Sequence, residues 1–258
     1  MKNVAEIFKR EIRFYFTTPI AYVVIIIFTL IFGFLFYRSL VYYSELSYQL
    51  MQNPSYGQRL DLVVGVFSPV FANNAIIFLM LIPPISMRLI AEEKKSGTIE
   101  LLFTYPIKDI HIVMGKWLAA STIIFLMLLL TVPAPLMAFK FAGTAEWGPI
   151  LSGYMGMLLM GLSFLSLGVL ISALSENQIV SIIVSYGVLL AFWFLGWVVD
   201  PNSGRPIGKV LGEMSIVDHI SNSVKGVIDT RDILYFVLFI FVSLFLTHRV
   251  LESKRWRG

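Results

Sequence analysis

Ten of the 39 charged or histidine residues of this 258-residue chain lie in one internal stretch, RLIAEEKKSGTIELLFTYPIKDIHIVMGKW, from Arg88 to Trp117. Glu92, Glu93, Lys94 and Lys95 are followed by Gly97, and Ile99, Leu102 and Phe103 then fall at i, i+3 and i+4 with Glu100 and Thr104 off that stripe. The spacing predicts a short amphipathic helix, separated from what precedes it by Gly97. Pro106 ends it, because the residue before a proline is pushed out of the helical region. A second helical run starts near Ile107 and leads through Gly115 and Lys116. The chemistry open to such a segment is recognition: an apolar stripe flanked by carboxylates either receives force from a soluble partner or tucks against lipid. Covalent chemistry finds no support. Cysteine is absent, and His111, His219 and His248 are scattered without metal-ligand spacing. No G-x-x-x-x-G-K-[ST] phosphate loop occurs; Gly115-Lys116-Trp117 lacks both the upstream glycine and the hydroxyl. The eleven methionines, spread through apolar segments, read as packing rather than a copper path.

What must position this segment is a membrane bundle. The chain is 57% hydrophobic and only 14% charged, with a mean hydropathy of +0.81; a soluble domain carries about 25% charged residues. That excludes a soluble globular enzyme, a disordered chain and a nucleic-acid module built on a basic surface. A crossing helix needs about 20 apolar residues, and six stretches qualify: 20–36, 68–87, 117–139, a span within 147–175, 179–199 and 233–246. Trp117, Trp147, Trp197 and Trp256 fall at or just beyond span ends, where indole rings favour the headgroup level.

An even number of spans puts both termini on one side. That side carries Lys2, Lys9, Arg10, Arg13, Arg88, Lys94, Lys95, Lys108, Lys116, Arg249, Lys254, Arg255 and Arg257 in short flanks. The positive-inside rule makes it cytoplasmic. Val4, Ile7, Phe8, Ile12, Tyr15 and Phe16, interleaved with the N-terminal basic residues, predict an amphipathic helix over 1–18 lying in the interface and ending near Pro19. The six assigned spans contain no Asp, Glu, Lys, Arg or His, which disfavours a proton-coupled carrier or an intramembrane hydrolase. Their polar and kinking features, Asn73, Asn74, Pro83, Pro84, Pro133 and Pro135, are the candidates for a translocation path or hinge. Gly168 with Ser172, Ser181 with Ser185 and Gly187 with Ala191 have the small-xxx-small spacing that lets helices approach closely.

The run EEKKSGTIELLFTYPIKDIHIVMGK resembles the cytoplasmic signature of ABC-2-type permeases, the membrane subunits of one class of ABC transporter. The final GVIDTRDILYFVLFIFVSLFLTHRVLESKRWR is similar to the C-terminal segment of the NosY/GldF-like branch. The resemblance covers nearly the whole chain. It implies a single all-α, type V exporter-like transmembrane domain over 1–258, with six spans, cytoplasmic termini and a coupling helix between spans two and three. Over 92–110 the coupling residues would be Glu92, Glu93, Gly97, Thr98, Ile99, Glu100, Leu102, Phe103 and Pro106, with Glu176 in the 176–178 turn as a smaller contact. An extracytoplasmic hairpin over 200–231 would carry Ile207, Val210, Leu211, Met214, Val217, Val224 and Ile228 at near-helical spacing, and either dips into the membrane or lies flat. The implied partners are two ABC ATPase subunits, which would hold the ATP and Mg, a second permease copy, the bilayer of a bacterial or archaeal inner membrane, and an auxiliary or periplasmic protein. No cofactor binds this chain directly, no nucleic acid is a partner, and the chain is not itself an enzyme. The alternative that bare spans also suit is a non-transporting anchor or scaffold.

Overall fold

The computed structural model describes residues 2–52, 61–98, 108–142, 147–198 and 212–255. Every element among the described residues is helical. In chain order these are α1 (Lys2–Thr17), α2 (Pro19–Gln52), a π-helical turn (Val63–Phe67) running into α3 (Ser68–Ser86), α4 (Arg88–Lys95), α5 (Asp109–Leu129), α6 (Pro133–Ala142), α7 (Trp147–Leu174), α8 (Gln178–Val198), α9 (Ile216–Val224) and α10 (Thr230–Arg255). Six stretches are long and apolar enough to cross a membrane: Pro19–Gln52, Val63–Lys95, Asp109–Ala138, Trp147–Leu174, Gln178–Trp197 and Thr230–Lys254. The second is interrupted at Met87. The third starts at Asp109, eight residues ahead of the apolar run that begins at Trp117, and breaks at the turn preceding Pro133.

The core is organised around α7. Of its apolar window 72% is buried, against 28% for α2, 22% for α8 and 17% for α10. Glycines allow that burial. A Cβ at Gly153 would lie 2.4 Å from the Phe71 ring, one at Gly161 2.9 Å from Phe78, and one at Gly168 2.0 Å from Ser86 Oγ. Helix α3 therefore runs in backbone contact along α7, parallel to it. The same rings also face α2: Phe28, Phe32 and Phe36 of α2 form a ladder with Phe67, Phe71 and Phe78 that locks α2 in place, with neighbouring ring centroids 5.0–6.5 Å apart.

The two ends of the bundle are built differently. At one end ion pairs join α1, α4 and the start of α5, and a separate ion pair joins the 175–177 turn to the end of α10. At the other, Ser68 Oγ donates to the Val224 carbonyl at 2.7 Å, and a Cβ on Gly226 would press against Pro149 at 2.4 Å. Helix α9 sits beside α7 there, with Ser223 directly over Gly156, about 13 Å along α7 from its first residue. Residues 200–211 of the expected hairpin lie outside the described residues. In the remainder the buried face is Ile216, His219, Ile220, Ser223 and Val224, whereas Met214, Val227 and Ile228 are exposed. The apolar spacing pointed to Met214 and Ile228, but the hairpin turns out of its helix at Gly226, whose φ is +88°, so a single helical register does not extend across it.

The small-residue pairs divide by environment. Gly168 and Ser172 form the close α3–α7 crossing, and Ser181 and Ser185 are buried. Gly187 has nothing within 4 Å of a Cβ placed on it, and Ala191 is exposed. Gly168→Ala is therefore expected to destabilise the detergent-purified chain by about 1–3 kcal/mol, the usual cost of overpacking, while Gly187→Ala leaves it as stable or slightly more so. Thermal unfolding of the two variants side by side checks this.

Candidate functional site

The ion-paired end gathers α1, α4 and α5 into one cluster. Ile7, Glu11 and Tyr15 recur at i, i+4 and i+8 on α1 and form its buried stripe. A helix with that stripe must lie on protein, and α1 lies on α5: a Cβ at Gly115 would be 2.7 Å from Ile7 Cγ2. One turn further along α1, Glu11 then meets Lys116. The Lys116 ammonium, 2% exposed, donates to Glu11 Oε1 at 2.9 Å and stands 2.9 Å from Glu93 Oε1. Arg10 bridges the same two carboxylates, at 2.8 Å to Glu11 and 2.5 Å to Glu93. Two cations and two anions from three elements thus neutralise one another in place. Burial alone would raise the Glu11 carboxyl, but the ammonium of Lys116 and the hydrogen bonds from Lys116 and Arg10 outweigh it and hold the group below its ordinary value.

Beside this cluster α3 gives way to α4, and side chains from three other helices supply the hydrogen bonds the break would lose. Pro84 has no N–H for the Met80 carbonyl, which instead accepts from the Tyr186 hydroxyl at 2.6 Å. The Tyr15 hydroxyl donates to the Ile85 carbonyl at 3.1 Å. Ser172 Oγ donates to the Met87 carbonyl at 2.8 Å and accepts from the backbone N–H groups of Ile90 and Ala91 at 3.1 and 2.9 Å. Arg88, 7% exposed, lies over Phe14 with its guanidinium carbon 3.9 Å from the ring centroid, the geometry of a cation–π contact. Four cross-helix contacts thus brace the break, which is a tied joint rather than a loose hinge.

At the far end of α4, Lys94 donates to the Ala173 carbonyl at the end of α7, and Lys254 of α10 pairs with Glu176 at 3.4 Å. Gly97, with φ +69°, takes the left-handed conformation that ends a helix and that a Cβ disfavours. The Ser96 and Thr98 hydroxyls meet at 2.8 Å just beyond the helix. A cleft of about 240 Å³ opens over the cluster, lined by Arg10, Glu11, Arg88, Glu92, Glu93 and Lys116 among others.

Of the residues the sequence singles out, Glu92, Glu93, Gly97 and Thr98 belong to this end. Glu93 spends its carboxylate inside the chain, while Glu92 has Arg88 at 3.8 Å. Ile99, Glu100, Leu102, Phe103 and Pro106 lie outside the described residues. Glu176 is exposed apart from Lys254. Pro83 and Pro84 sit at the joint. Asn73, Asn74, Pro133 and Pro135 do not: they lie toward the opposite end. Asn73 and Asn74 donate to the Pro69 and Val70 carbonyls of their own helix at 2.8 Å. Pro133 opens α6, next to a Thr131–Tyr154 hydroxyl contact of 3.0 Å. Arg10, Glu11, Tyr15, Lys116 and Ser172 also belong to the site, and the sequence patterns do not assign them to it. Glu11 carried the usable signal, since it shares the Ile7 and Tyr15 stripe and an acid on an apolar stripe needs a buried partner.

Among the described residues an all-helical bundle with six helices long and apolar enough to cross a membrane, with ion pairs at the root of the 99–107 connection, defines a multi-pass membrane protein. A family profile described as ABC-2 family transporter protein matches residues 5–203, so the chain belongs to the ABC-2 transporter family. A search of curated protein sequences gives no match.

Glu11 is stabilised as a carboxylate in the fold, so its contribution is present above the unfolded carboxylate value of about 4.3 and is lost as pH falls through the lower folded one. Glu11→Gln is accordingly expected to remove part of the acid-side loss of thermal stability. Lys116→Met, which strands two carboxylates with Arg10 alone, is expected to cost about 3 kcal/mol near neutral pH. Unfolding midpoints between pH 3.5 and 7.5 read both effects.

Proposed function

We propose that this chain is the permease subunit of an ABC transporter of the NosY/GldF-like branch, with both termini in the cytoplasm. It pairs with a second permease copy and two ATPase subunits that hold ATP and Mg, and it exports a substrate or transmits force to an extracytoplasmic partner. The observation that carries the reading is the anchoring of the root of the 99–107 segment. Glu93 and Lys94, at most six residues ahead of Ile99, are tied to α1, α5 and α7 at once. A partner pulling on that segment would therefore move several helices together instead of unwinding α4. Residues 99–107 would be the docking element, with Ile99, Leu102 and Phe103 as apolar anchors and Glu100 as a charged contact. The cluster behind them would be the lever.

The two roles separate by mutation. With the chain and its cognate ATPase co-expressed, Leu102→Asp is expected to abolish co-purification of the ATPase while membrane insertion persists. Glu93→Gln is expected to retain the ATPase but to lower permease-dependent ATP hydrolysis about tenfold, equivalent to about 1.4 kcal/mol in the coupled step. Unchanged co-purification with Leu102→Asp overturns the docking role. A bound ATPase whose hydrolysis never responds to the native chain identifies a scaffold instead.

A further inference from the structure

At the end of the bundle opposite the ion cluster, α9 is fastened to the first turn of α10 by a buried histidine. His219 is 6% exposed and Asp232 4%. The His219 Nδ1 lies 2.7 Å from Asp232 Oδ1, and its Nε2 lies 2.9 Å from the backbone carbonyl oxygen of Glu213. The other carboxylate oxygen, Asp232 Oδ2, accepts from Asn222 Nδ2 at 3.0 Å. The imidazole stacks on Tyr235 with centroids 4.0 Å apart and planes 18° from parallel, and the Tyr235 hydroxyl donates to the Met214 carbonyl at 2.9 Å.

The donor count of this arrangement does not close with a neutral imidazole beside an ionised carboxylate. A backbone carbonyl is only an acceptor, so Nε2 must carry a hydrogen. A carboxylate is likewise only an acceptor, so Nδ1 must carry one too, and a neutral imidazole has one N–H. Both contacts are hydrogen bonds only if the pair holds an extra proton, as imidazolium against carboxylate or as imidazole against carboxylic acid. Without it one contact sets two lone pairs against each other at hydrogen-bond distance inside a buried site. Keeping the bond to the carboxylate sacrifices the one to Glu213, and with it the lead-in to α9.

We propose that the His219–Asp232 pair is a proton-binding clasp: proton uptake closes the α9 hairpin onto α10, and proton loss releases it. Among the described residues the charged surroundings leave this pair to set the response. From α10 the neighbouring groups are Arg231, which pairs with the Glu213 side chain, and Tyr235. From the preceding turn Asp229 caps Arg231 N at 2.9 Å, and α9 itself adds Asp218 and Lys225, both exposed. Helix α3 carries no titratable side chain. Helices α7 and α8 carry one tyrosine each, and both are engaged elsewhere, Tyr154 with Thr131 and Tyr186 with the Met80 carbonyl. Because the closed state binds the proton, closure is favoured as pH falls and is lost as pH rises.

The chain has no cysteine of its own, so a single introduced thiol reports cleanly. Ser223→Cys is near-isosteric and buried against Gly156, whereas Val227→Cys in the same hairpin is exposed. The full chain in phospholipid nanodiscs, where both faces are accessible, is labelled with a maleimide at pH 5.5 and 8.5. The ratio of the Ser223→Cys rate to the Val227→Cys rate cancels the intrinsic thiol chemistry. The ratio is expected to rise about fivefold from the lower to the higher pH, a change that one hydrogen bond supports. Asp232→Asn is expected to hold the ratio low at both values, because a neutral imidazole can then donate to Glu213 and accept from the new amide. His219→Gln, which takes up no proton, gives a ratio independent of pH even where the hairpin is loosened. A flat ratio with His219 and Asp232 both intact overturns the clasp, as does an undiminished rise in either variant. The measurement needs no ATPase and stands apart from the permease reading.

Discussion

A lysine ammonium that is 2% exposed leaves the chain little freedom in how it closes. Removing such a charge from water costs several kcal/mol unless counter-charges meet it with good geometry. Lys116 is met by Glu11 from one direction and Glu93 from the other. Those carboxylates belong to the first helix and to the helix that ends the second crossing stretch, so three chain segments remote in sequence are fixed by one charge. The placement of α1 along α5, the depth of Gly115 against Ile7 and the exit direction of α4 are all consequences of this constraint. Arg10 completes the balance by reaching both acids from the more exposed side.

The same end shows how side chains can compensate a break in a membrane helix. In hydrocarbon, unpaired carbonyl and amide groups are costly, and a double proline creates them. Here Tyr186, Tyr15 and Ser172 are spent on the backbone of the α3–α4 joint. Each comes from a different helix, so the joint doubles as the place where α1, α7 and α8 register on α3. The Gly168 approach to Ser86 brings Ser172 within reach, one helical turn further along α7.

Much of this fold could be read from apolar run length alone. The six crossing helices, the helical N-terminus and the stop at Gly97 follow from hydropathy, from Pro and Gly placement, and from the scarcity of charge. The site was less legible. Lys116 looks like one more basic residue flanking a span, and only the partner brought over it from residue 11 shows that it is buried. Ser172 reads as a small residue for packing, and that is half its role; its hydroxyl is matched to a break 82 residues away in sequence, which no local pattern encodes. Glu93 illustrates the converse. Its position in a run of charges suggested a surface contact, but the bend at Met87 points it inward to Lys116. His219 carried no signal at all, since neither Asp232 nor the Glu213 carbonyl stands at a ligand-like spacing from it.

Helix α2 has 34 residues and so extends about 51 Å, against a hydrocarbon core of about 30 Å. Tilting alone would have to reach about 54° to hide it, well outside the range of up to about 40° that crossing helices adopt. The helix must stand clear of the bilayer like a mast, and its upper part is not bare: Tyr42 and Tyr48 are 64% and 65% exposed, and Met51 80%. The π-helical turn that follows seats Gly65 against the Tyr43 ring, bracing the mast at its foot rather than its tip. A protein approaching from that side would meet the end of this helix about 20 Å before it met lipid, with Tyr48 and then Tyr42 exposed along the way down.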